Sequence, residues 1–413
     1  MAAIEQTVAD IIATVQRDGD QALIDYSRQF DRVELTPATL ALTETEINHI
    51  ARQVSPADRS ALELAAGRIQ AYHRWQMPVM GIHHFCDASG TLLGQRLTPV
   101  SRVGLYVPGG LATYPSTVLM NAIPARVAGV TDLVMVVPTP DGVVNPLLLV
   151  AAQIAGIHQI FRIGGAQAIA ALAMGTQTVP AVDKIVGPGN IYVATAKRQL
   201  FGQVGIDMIA GPSEILVIAD RENDPLWLAA DLLSQAEHDV SAQAILLTDD
   251  EDLANAVELA LAQHLAILER RSICAQSLAE RGAIIVVNNL HEACALASRV
   301  APEHLELSVA DPERLLPHVG NAGAIFLGRY TPEAIGDYVA GPSHVLPTSG
   351  TARFSSPLSV FDFIKRTSLI GCTEASLAII GPAASRLAAG EGLTAHQLSL
   401  DQRLVQKPSG SSS

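Results

Sequence analysis

The sequence has little of what nucleic-acid-binding and membrane-spanning proteins need. Aromatic residues make up only 4% of the 413 residues, and the formal net charge is −14. Few aromatic rings leave little surface on which bases could stack, and an acidic chain without a basic run repels a phosphate backbone. No uncharged apolar run reaches the roughly 18 residues of a membrane-spanning helix before a turn residue interrupts it. We therefore expect neither nucleic acid nor a membrane among the partners of this chain.

Cysteine is scarce as well. The four cysteines are Cys86, Cys274, Cys294 and Cys372, and no two of them form a CxxC motif. This spacing argues against a disulfide framework and a thiolate metal site, so we expect buried thiols in a reducing compartment. The first residues also lack the basic start and the apolar stretch of a signal peptide. Together these absences predict a cytoplasmic protein.

Three familiar short motifs are missing too. The chain contains no G-x-G-x-x-G of a Rossmann unit, no H-E-x-x-H of a zinc protease and no G-x-S-x-G of an α/β hydrolase. Each of these would place a cofactor, a metal or a nucleophile at one local position. Any such chemistry must instead use residues that lie far apart in the sequence.

What the chain does contain is a regular alternation of short β-branched runs and alanine-rich helical stretches. Four runs precede Gly211 and four follow it; they are Val103–Val107, Leu133–Val137, Ile160–Ile163, Lys184–Val186, Ile215–Ile218, Ala244–Leu247, Ala283–Val287 and Ala324–Leu327. Apolar strands between helices are typical of parallel sheets covered on both faces, so we expect two α/β units. Helical spacing within Thr7–Phe30 and Ser60–Trp75 predicts helices near the start, and we expect helix again from about residue 358 to about residue 400.

Glycine-rich turns follow three strands of the first unit: Tyr106–Gly110, Gly164–Gln167 and Gly187–Asn190. Glycine at the carboxyl end of a strand lets backbone amides approach a phosphate, and Tyr106, Gln167 and Asn190 could then bind a base or ribose. Tight strand-to-helix turns would explain each glycine equally well. Three such turns in one unit indicate a nucleotide site without fixing which nucleotide.

Four polar islands stand out in the apolar second half: Ser234–His238, Ala301–Leu305, Gly336–Tyr338 and Gly392–His396. Asn223-Asp224-Pro225 predicts a helix start, and a helix running to about His238 would place Gln235 and His238 on one face. Amide oxygen, imidazole and carboxylate are zinc ligands when no thiolate is available, so Asp337, expected in a loop, and His396 complete a candidate set. The alternatives are a polar helix end, a turn aspartate and a solvated helix residue.

The Ala301–Leu305 island carries two neighbouring bases, Glu303 and His304. Pro302 predicts that the preceding helix ends at Ala301. A glutamate and a histidine side by side can move protons near neutral pH, although Pro-Glu is also common at a helix N-terminus.

The islands and the glycine loops together resemble the histidinol dehydrogenase family over residues 4 to about 401. The motifs that carry the resemblance are Gly104–Gly110, Pro115–Met120, Gly164–Ile169, Gly187–Asn190, Ala210–Glu214, Ser234–His238, Ala301–Leu305, Gly336–Tyr338, Ser343–Pro347 and Glu391–His396.

The resemblance implies a role for each candidate residue. It implies a zinc ion held by Gln235, His238, Asp337 and His396, with His396 supplied by the partner subunit of a homodimer. It implies that Glu303 and His304 are the acid–base pair and that Tyr106, Gln167 and Asn190 contact NAD. The substrate pocket would use Ser213, Gln235, His238, His304, Asp337, His344, Glu391 and His396.

The implied reaction is the oxidation of L-histidinol to L-histidinaldehyde and then to L-histidine, with two NAD. The implied fold has two incomplete Rossmann-like domains with small helical terminal segments, which agrees with the missing G-x-G-x-x-G. A related zinc and NAD enzyme for another amino alcohol or a sulfonated diol is the nearest alternative. A zinc hydrolase and a catalytically silent binding protein are more distant ones.

These observations together predict four segments. Residues 1–100 form a helical segment leading into the first α/β domain, and residues 101–210 form the NAD-binding domain. Residues 211–357 form a second Rossmann-like domain with the zinc and catalytic residues. Residues 358–413 form a helical segment whose tail, from residue 402 on, is nonstandard, with Lys407–Ser413 expected to be disordered.

Overall fold

The computed structural model describes residues 2–109, 114–209 and 211–405. Gly110 of the first glycine loop, Ala210 and the predicted disordered tail lie outside the described residues. The chain divides into two units, one formed by Met1–Met77 with Val100–Phe363 and the other by Pro78–Pro99 with Ile364–Ser413.

Strands occur in both units. In chain order they are β1 (Gly81–Cys86), β2 (Leu92–Pro99), β3 (Arg102–Tyr106), β4 (Asp132–Val136), β5 (Gln159–Phe161), β6 (Lys184–Val186), β7 (Gly205–Ile206), β8 (Glu214–Ala219), β9 (Gln243–Thr248), β10 (Ala283–Val286), β11 (His304–Ser308), β12 (Ala324–Leu327) and β13 (Ile364–Gly371).

Helices cover the sheets and form most of the terminal segments. In chain order they are α1 (Ala2–Asp18), α2 (Asp20–Tyr26), α3 (Glu44–Ala51), α4 (Pro56–Gln76), α5 (Pro115–Ala128), α6 (Pro146–Ile154), α7 (Gly165–Met174), α8 (Ile191–Leu200), α9 (Pro225–Ala236), α10 (Glu251–Leu265), α11 (Arg271–Arg281), α12 (Leu290–Val300), α13 (Pro312–Leu315), α14 (Glu333–Tyr338), α15 (Glu374–Gly390) and α16 (Thr394–Leu404). A π-helical turn, Ser27–Asp31, follows α2. No helix among these is long and apolar enough to cross a membrane.

The first unit contains two parallel five-stranded sheets with the same strand order. The first runs β5-β4-β3-β6-β7 and the second β10-β9-β8-β11-β12, so each has its first strand at the centre and its fourth beside it. All neighbouring strands within both sheets are parallel. The expected fold class is therefore confirmed, and all eight predicted apolar runs contain strands.

The strand β11 was not among the predicted runs, because its residues alternate in polarity. His304, Glu306 and Ser308 lie on one face, while Leu305 and Leu307 lie on the other, in the apolar core beneath α12. All five are buried. A central strand with a buried polar face lacks the continuous apolar run by which the other strands were predicted. The polar face of β11 is part of the candidate site.

The second unit holds an antiparallel sheet, β1-β2-β13, which the sequence did not suggest. Our expectation of helix from about residue 358 is wrong for Ile364–Gly371, which pair with β2 along their whole length. Most side chains of this strand are exposed, so it lacks the apolar run that marks the other strands.

The expectation of buried thiols is wrong as well for Cys86 and Cys372, which lie exposed at the ends of this sheet; all four cysteines are free.

Candidate functional site

A cavity of about 320 Å³ lies between the carboxyl ends of the first sheet and the amino ends of the second. From the first sheet come the turn after β6 and the start of α5; from the second come the residues that precede β8 and begin β11. Among the predicted site residues, those that line this cavity are Asn190, Ser213, Gln235, His238, Glu303, His304, Asp337 and His344.

Helix α9 brings Gln235 and His238 to the cavity. Asp224 caps its first turn by accepting the N–H of Leu226, and Pro225 occupies the first helical position, as predicted. The helix ends at Ala236 rather than at His238, because a tighter turn follows in which the His238 N–H donates to the Gln235 carbonyl. Gln235 is buried, and its side-chain oxygen Oε1 accepts no hydrogen bond from any described residue.

Asp337 and His344 approach from the other side. Asp337 lies in the short helix α14, not in a loop as expected from its neighbouring glycine. Gly336 is required by packing, since a Cβ atom there would lie 2.6 Å from the ring of Phe326. His344 Nδ1 donates to the backbone carbonyl of Asp337 at 3.1 Å and lies 3.8 Å from its carboxylate. Burial lowers the pKa of His344, which keeps this imidazole neutral.

The donors in this cavity suit a zinc ion. A buried amide oxygen without a partner is costly unless it binds something, and Gln235 Oε1 is such an atom beside His238 and Asp337. A second group of three, His304, Glu333 and Asp337, has ligand atoms that all lie within 4.8 Å of one another. The two sets share Asp337, so either could hold a metal ion at this end of α14.

Glu303 and His304 are both anchored to the backbone of one residue of the neighbouring strand, Glu214. The Glu214 N–H donates to Glu303 Oε2 at 3.0 Å, and His304 Nδ1 donates to the Glu214 carbonyl at 2.9 Å. Since Nδ1 carries the proton, Nε2 of His304 is free to act as a base. Burial lowers the pKa of His304 to about 4 and raises the pKa of Glu303 well above its usual value. The pair therefore combines a neutral imidazole with a carboxyl group that holds its proton tightly.

Glu333 is a buried residue of this site that the sequence did not reveal. Its Oε1 lies 3.5 Å from His304 Nε2 and has no hydrogen-bond partner among the described residues, while Ser234 donates to its Oε2 at 3.3 Å. Burial, reinforced by Asp337, raises the pKa of Glu333 to about 9. A glutamate after proline at a helix start is so common on protein surfaces that nothing in the sequence marks it as buried.

A second cavity of about 420 Å³ lies over the carboxyl ends of β3 and β4. Tyr106, Gln167 and Asn190, the three expected NAD contacts, all line it, together with Gly109 and Gly164. Tyr106 is buried and its hydroxyl oxygen accepts the N–H of Gly165 at 3.1 Å. The glycines also satisfy the alternative explanation of tight packing, because a Cβ at either Gly109 or Gly164 would lie within 2.4 Å of Pro138.

The turn Gly187–Asn190 separates the two cavities, and Asn190 lines both. A buried ion pair between Lys197 and Asp207 fixes this turn: Lys197 Nζ donates to the Gly187 carbonyl at 3.0 Å, and Asp207 accepts the Gly187 N–H at 2.8 Å. Gly187 has a φ of 110°, and a Cβ there would lie 2.1 Å from the Tyr106 carbonyl. Asn190 then begins α8 by accepting the N–H groups of Tyr192 and Val193.

Glu391 and His396 belong to the second unit. Glu391 follows α15, His396 lies in the first turn of α16, and both are exposed within this single chain. Their predicted roles remain predictions.

Comparison with known proteins gives one consistent result. A family model described as "Histidinol dehydrogenase" matches residues 1–404. The chain is 61% identical over 401 residues to the histidinol dehydrogenase of Cereibacter sphaeroides, which covers 97% of this chain and 92% of the relative. It is 56% identical over 405 residues to that of Pseudomonas aeruginosa, with 98% and 92% covered. The crystal structure of histidinol dehydrogenase from Elizabethkingia anophelis superposes with a TM-score of 0.92 at 37% identity, covering 97% of this chain and 92% of that one.

Proposed function

The chain belongs to the histidinol dehydrogenase family, and from this premise we propose that it oxidises L-histidinol to L-histidine through L-histidinaldehyde in two NAD-dependent steps, the last of histidine biosynthesis. One structural observation supports this proposal for the residues of this chain. Side chains from well-separated parts of the sequence, among them Ser213, Gln235, Glu303 and Asp337, line one cavity that adjoins a second, glycine-lined one.

We propose that zinc is held by Gln235, His238 and Asp337, with His396 of a second subunit as the fourth ligand. Each set contains a buried oxygen without a partner, Gln235 Oε1 in the first and Glu333 Oε1 in the other, so the choice rests on His304, which the first set leaves free as a base. When bound, zinc would supply a fixed attachment point for the substrate imidazole and amine, and NAD would accept the hydride of each oxidation.

His304 is the base of the first oxidation in this proposal. Its Nδ1 is committed to the Glu214 carbonyl, so Nε2 is the nitrogen that accepts the hydroxyl proton. Its low pKa keeps this nitrogen unprotonated at neutral pH, ready to receive that proton. Glu333 Oε1 lies 3.5 Å from Nε2 and has no hydrogen-bond partner among the described residues, so the protonated nitrogen can donate to it.

Glu303 serves the second oxidation, in which water adds to the aldehyde. Its carboxyl group is buried beside His304, with Oε2 held by the Glu214 N–H. Once this carboxyl group has given up its own proton, its raised pKa makes the carboxylate a strong base, which takes a proton from that water. Ser213, His344 and Glu391 are proposed to position the substrate; the first two line the same cavity.

The homodimer and the cytoplasmic location belong to the proposal as well. The exposed position of His396 in α16 supports the proposal that another subunit uses this side chain. The free cysteines support a reducing compartment.

Complementation tests the shared site: His396→Ala and Glu303→Gln chains are each expected to form no measurable histidine alone. Mixed dimers should regain activity, because one of their two sites then has both residues. No activity in verified mixed dimers would mean that His396 serves its own subunit.

NADH formation from L-histidinol, with and without a chelator, tests the reaction itself. We expect two NADH for each histidinol and loss of activity with the chelator that added zinc restores. A panel of other amino alcohols and a sulfonated diol is the control. Faster turnover of any of these than of histidinol would reassign the substrate.

A further inference from the structure

A buried carboxylate from the N-terminal segment lines the second cavity. Asp31, the last residue of the π-helical turn, is 8% exposed and lines the cavity beside Tyr106, Gly164 and Gln167. Its Oδ2 has no hydrogen-bond partner among the described residues. Burying a carboxylate oxygen without a donor is costly, so a ligand that brings a hydroxyl or N–H group to this atom would be bound favourably.

The position of Asp31 matches a role that another residue usually fills. Rossmann units carry an acidic residue roughly 20 residues beyond the first glycine turn, where it accepts a hydrogen bond from the 2′-hydroxyl of the adenosine ribose. Here β4 ends at Val136, and the acid of the loop that follows, Asp141, is exposed and paired with Arg32. Asp132, at the expected distance in sequence, lies at the opposite end of β4 and pairs with Arg102.

Asp31 reaches this place because its segment is tied to the loop after β4. A backbone hydrogen bond from Thr139 holds its carboxyl group, and the neighbouring Arg32 makes a two-pronged ion pair with Asp141 at 2.7 and 2.8 Å. Arg32 itself adopts a φ of 54°, which turns the chain away directly after Asp31. A residue from outside the sheet thus supplies a buried acid, which the β4 loop lacks.

The rest of the cavity suits the adenosine half of a dinucleotide. Phe30 and Tyr192, both partly exposed, offer aromatic rings beside it, and the N-terminus of α7 supplies backbone amides for phosphate. Among the described residues that line the cavity, Asp31 is the only charged one. A 2′-phosphate would meet this carboxylate without a cation to offset it.

We propose that Asp31 accepts a hydrogen bond from the 2′-hydroxyl of the adenosine ribose of NAD and thereby selects NAD over NADP. This rests on the proposed function, in which the second cavity holds NAD. Asp31 is a binding and selectivity residue, so its loss weakens cofactor binding while turnover at saturating NAD changes little.

Binding measured by calorimetry without histidinol tests the proposal directly. Asp31→Asn is expected to raise the Kd for NAD by about 10- to 100-fold, the usual effect of losing a hydrogen bond to a charged group, and to shift the preference toward NADP. The analogue of NAD that lacks the 2′-hydroxyl of the adenosine ribose, called 2′-deoxy-NAD here, should bind to the wild-type protein about 10-fold or more weakly than NAD. The Asp31→Asn variant should bind both alike. Equal binding of NAD and 2′-deoxy-NAD by the wild-type protein would overturn the proposal without any variant.

Two controls separate the possible failures. Asp20→Asn changes another buried aspartate of the same segment, which bonds to Thr176 and Thr178 and does not line the cavity, so NAD binding should stay unchanged even if the melting temperature falls. Gln167→Ala tests whether the cavity holds NAD. If Gln167→Ala weakens NAD binding and Asp31→Asn does not, only the role of Asp31 is refuted; if neither does, the cofactor site itself is misplaced.

Discussion

The two parallel sheets have the same strand order, yet the candidate chemistry uses opposite edges of them. In the first sheet, the turns after β3 and β6 and the turn that begins α7 line the second cavity, at the carboxyl ends where ligands of α/β sheets usually bind. In the second sheet, Glu303 and His304 lie at the amino end of β11. Topology alone therefore does not determine which edge of a sheet carries a site.

The loops explain the difference. The carboxyl edge of the second sheet is closed by Asp220, directly after β8, which accepts the N–H groups of Glu222 and Ala310 and pairs with Arg329. These backbone amides are the donors that a phosphate would otherwise use. Asp220 occupies them in the second sheet, while the glycine turns of the first sheet leave their edge open. The second sheet is left with its amino edge, where it faces the first.

The largest effect is expected at the amino edge of the second sheet. Glu303→Gln removes the base for water addition and should lower histidine formation by about 1000-fold, within the range for general-base catalysis. Oxidation of the alcohol to the aldehyde should be better preserved, because His304 remains. Separate assays of histidinol and histidinaldehyde oxidation check this. Equal losses in both would refute the division of roles between Glu303 and His304.

Metal content distinguishes the two ligand sets at the same edge. Gln235→Ala and His396→Ala should each lower zinc occupancy by at least about 10-fold, because each removes a ligand. Glu333→Gln, the matched change in the other set, should keep its zinc. Elemental analysis of purified protein measures this directly. Zinc loss in Glu333→Gln with retention in Gln235→Ala would reverse the assignment.

The first sheet should respond in cofactor affinity instead. Lys197→Met leaves Asp207 charged and buried, which should destabilise the fold by about 3–5 kcal/mol. The double variant Lys197→Met with Asp207→Leu should recover most of that stability. It should nevertheless bind NAD about 10-fold more weakly, because the Gly187 N–H and carbonyl lose the partners that fix Asn190.

Lys184→Met is the matched control for this ion pair. Lys184 pairs with Asp362 in the same unit but lines neither cavity. Its loss should cost about 1 kcal/mol and leave the KM for NAD unchanged. Denaturant unfolding and initial rates compare the variants. An unchanged KM for NAD in the double variant would show that the pair serves stability alone.

The smallest effect is expected at the closed edge of the second sheet. Asp220→Asn weakens the bonds to Arg329 and Ala310 and should lower the free energy of unfolding by about 1–3 kcal/mol. Turnover, KM and zinc content should not change. A loss of activity larger than the loss of stability would show that this edge takes part in function and would end the contrast drawn between the sheets.

The sequence predicted the two sheets well because their strands are continuous apolar runs, as buried parallel strands usually are. It could not predict β11, whose polar face is buried against neighbouring helices, or Glu333, whose burial depends on how α14 packs on α9. Asp31 shows the same limit. Its Phe-Asp-Arg setting is typical of a surface turn, and the contacts of this turn with the loop after β4, among them the ion pair of Arg32 with Asp141, are more than a hundred residues away in sequence.

The turn Gly187–Asn190 lies between the two cavities and contributes Asn190 to both. A ligand that moves this turn from one cavity also changes the binding of a ligand in the other. If a ligand in one cavity shifts Asn190, it changes affinity in the other by some factor, and the second ligand must change affinity for the first by the same factor. A reaction that needs two NAD in succession gains from this arrangement. The spent cofactor can leave its own cavity while the half-oxidised substrate stays in the other, so the reactive aldehyde need not be released between steps.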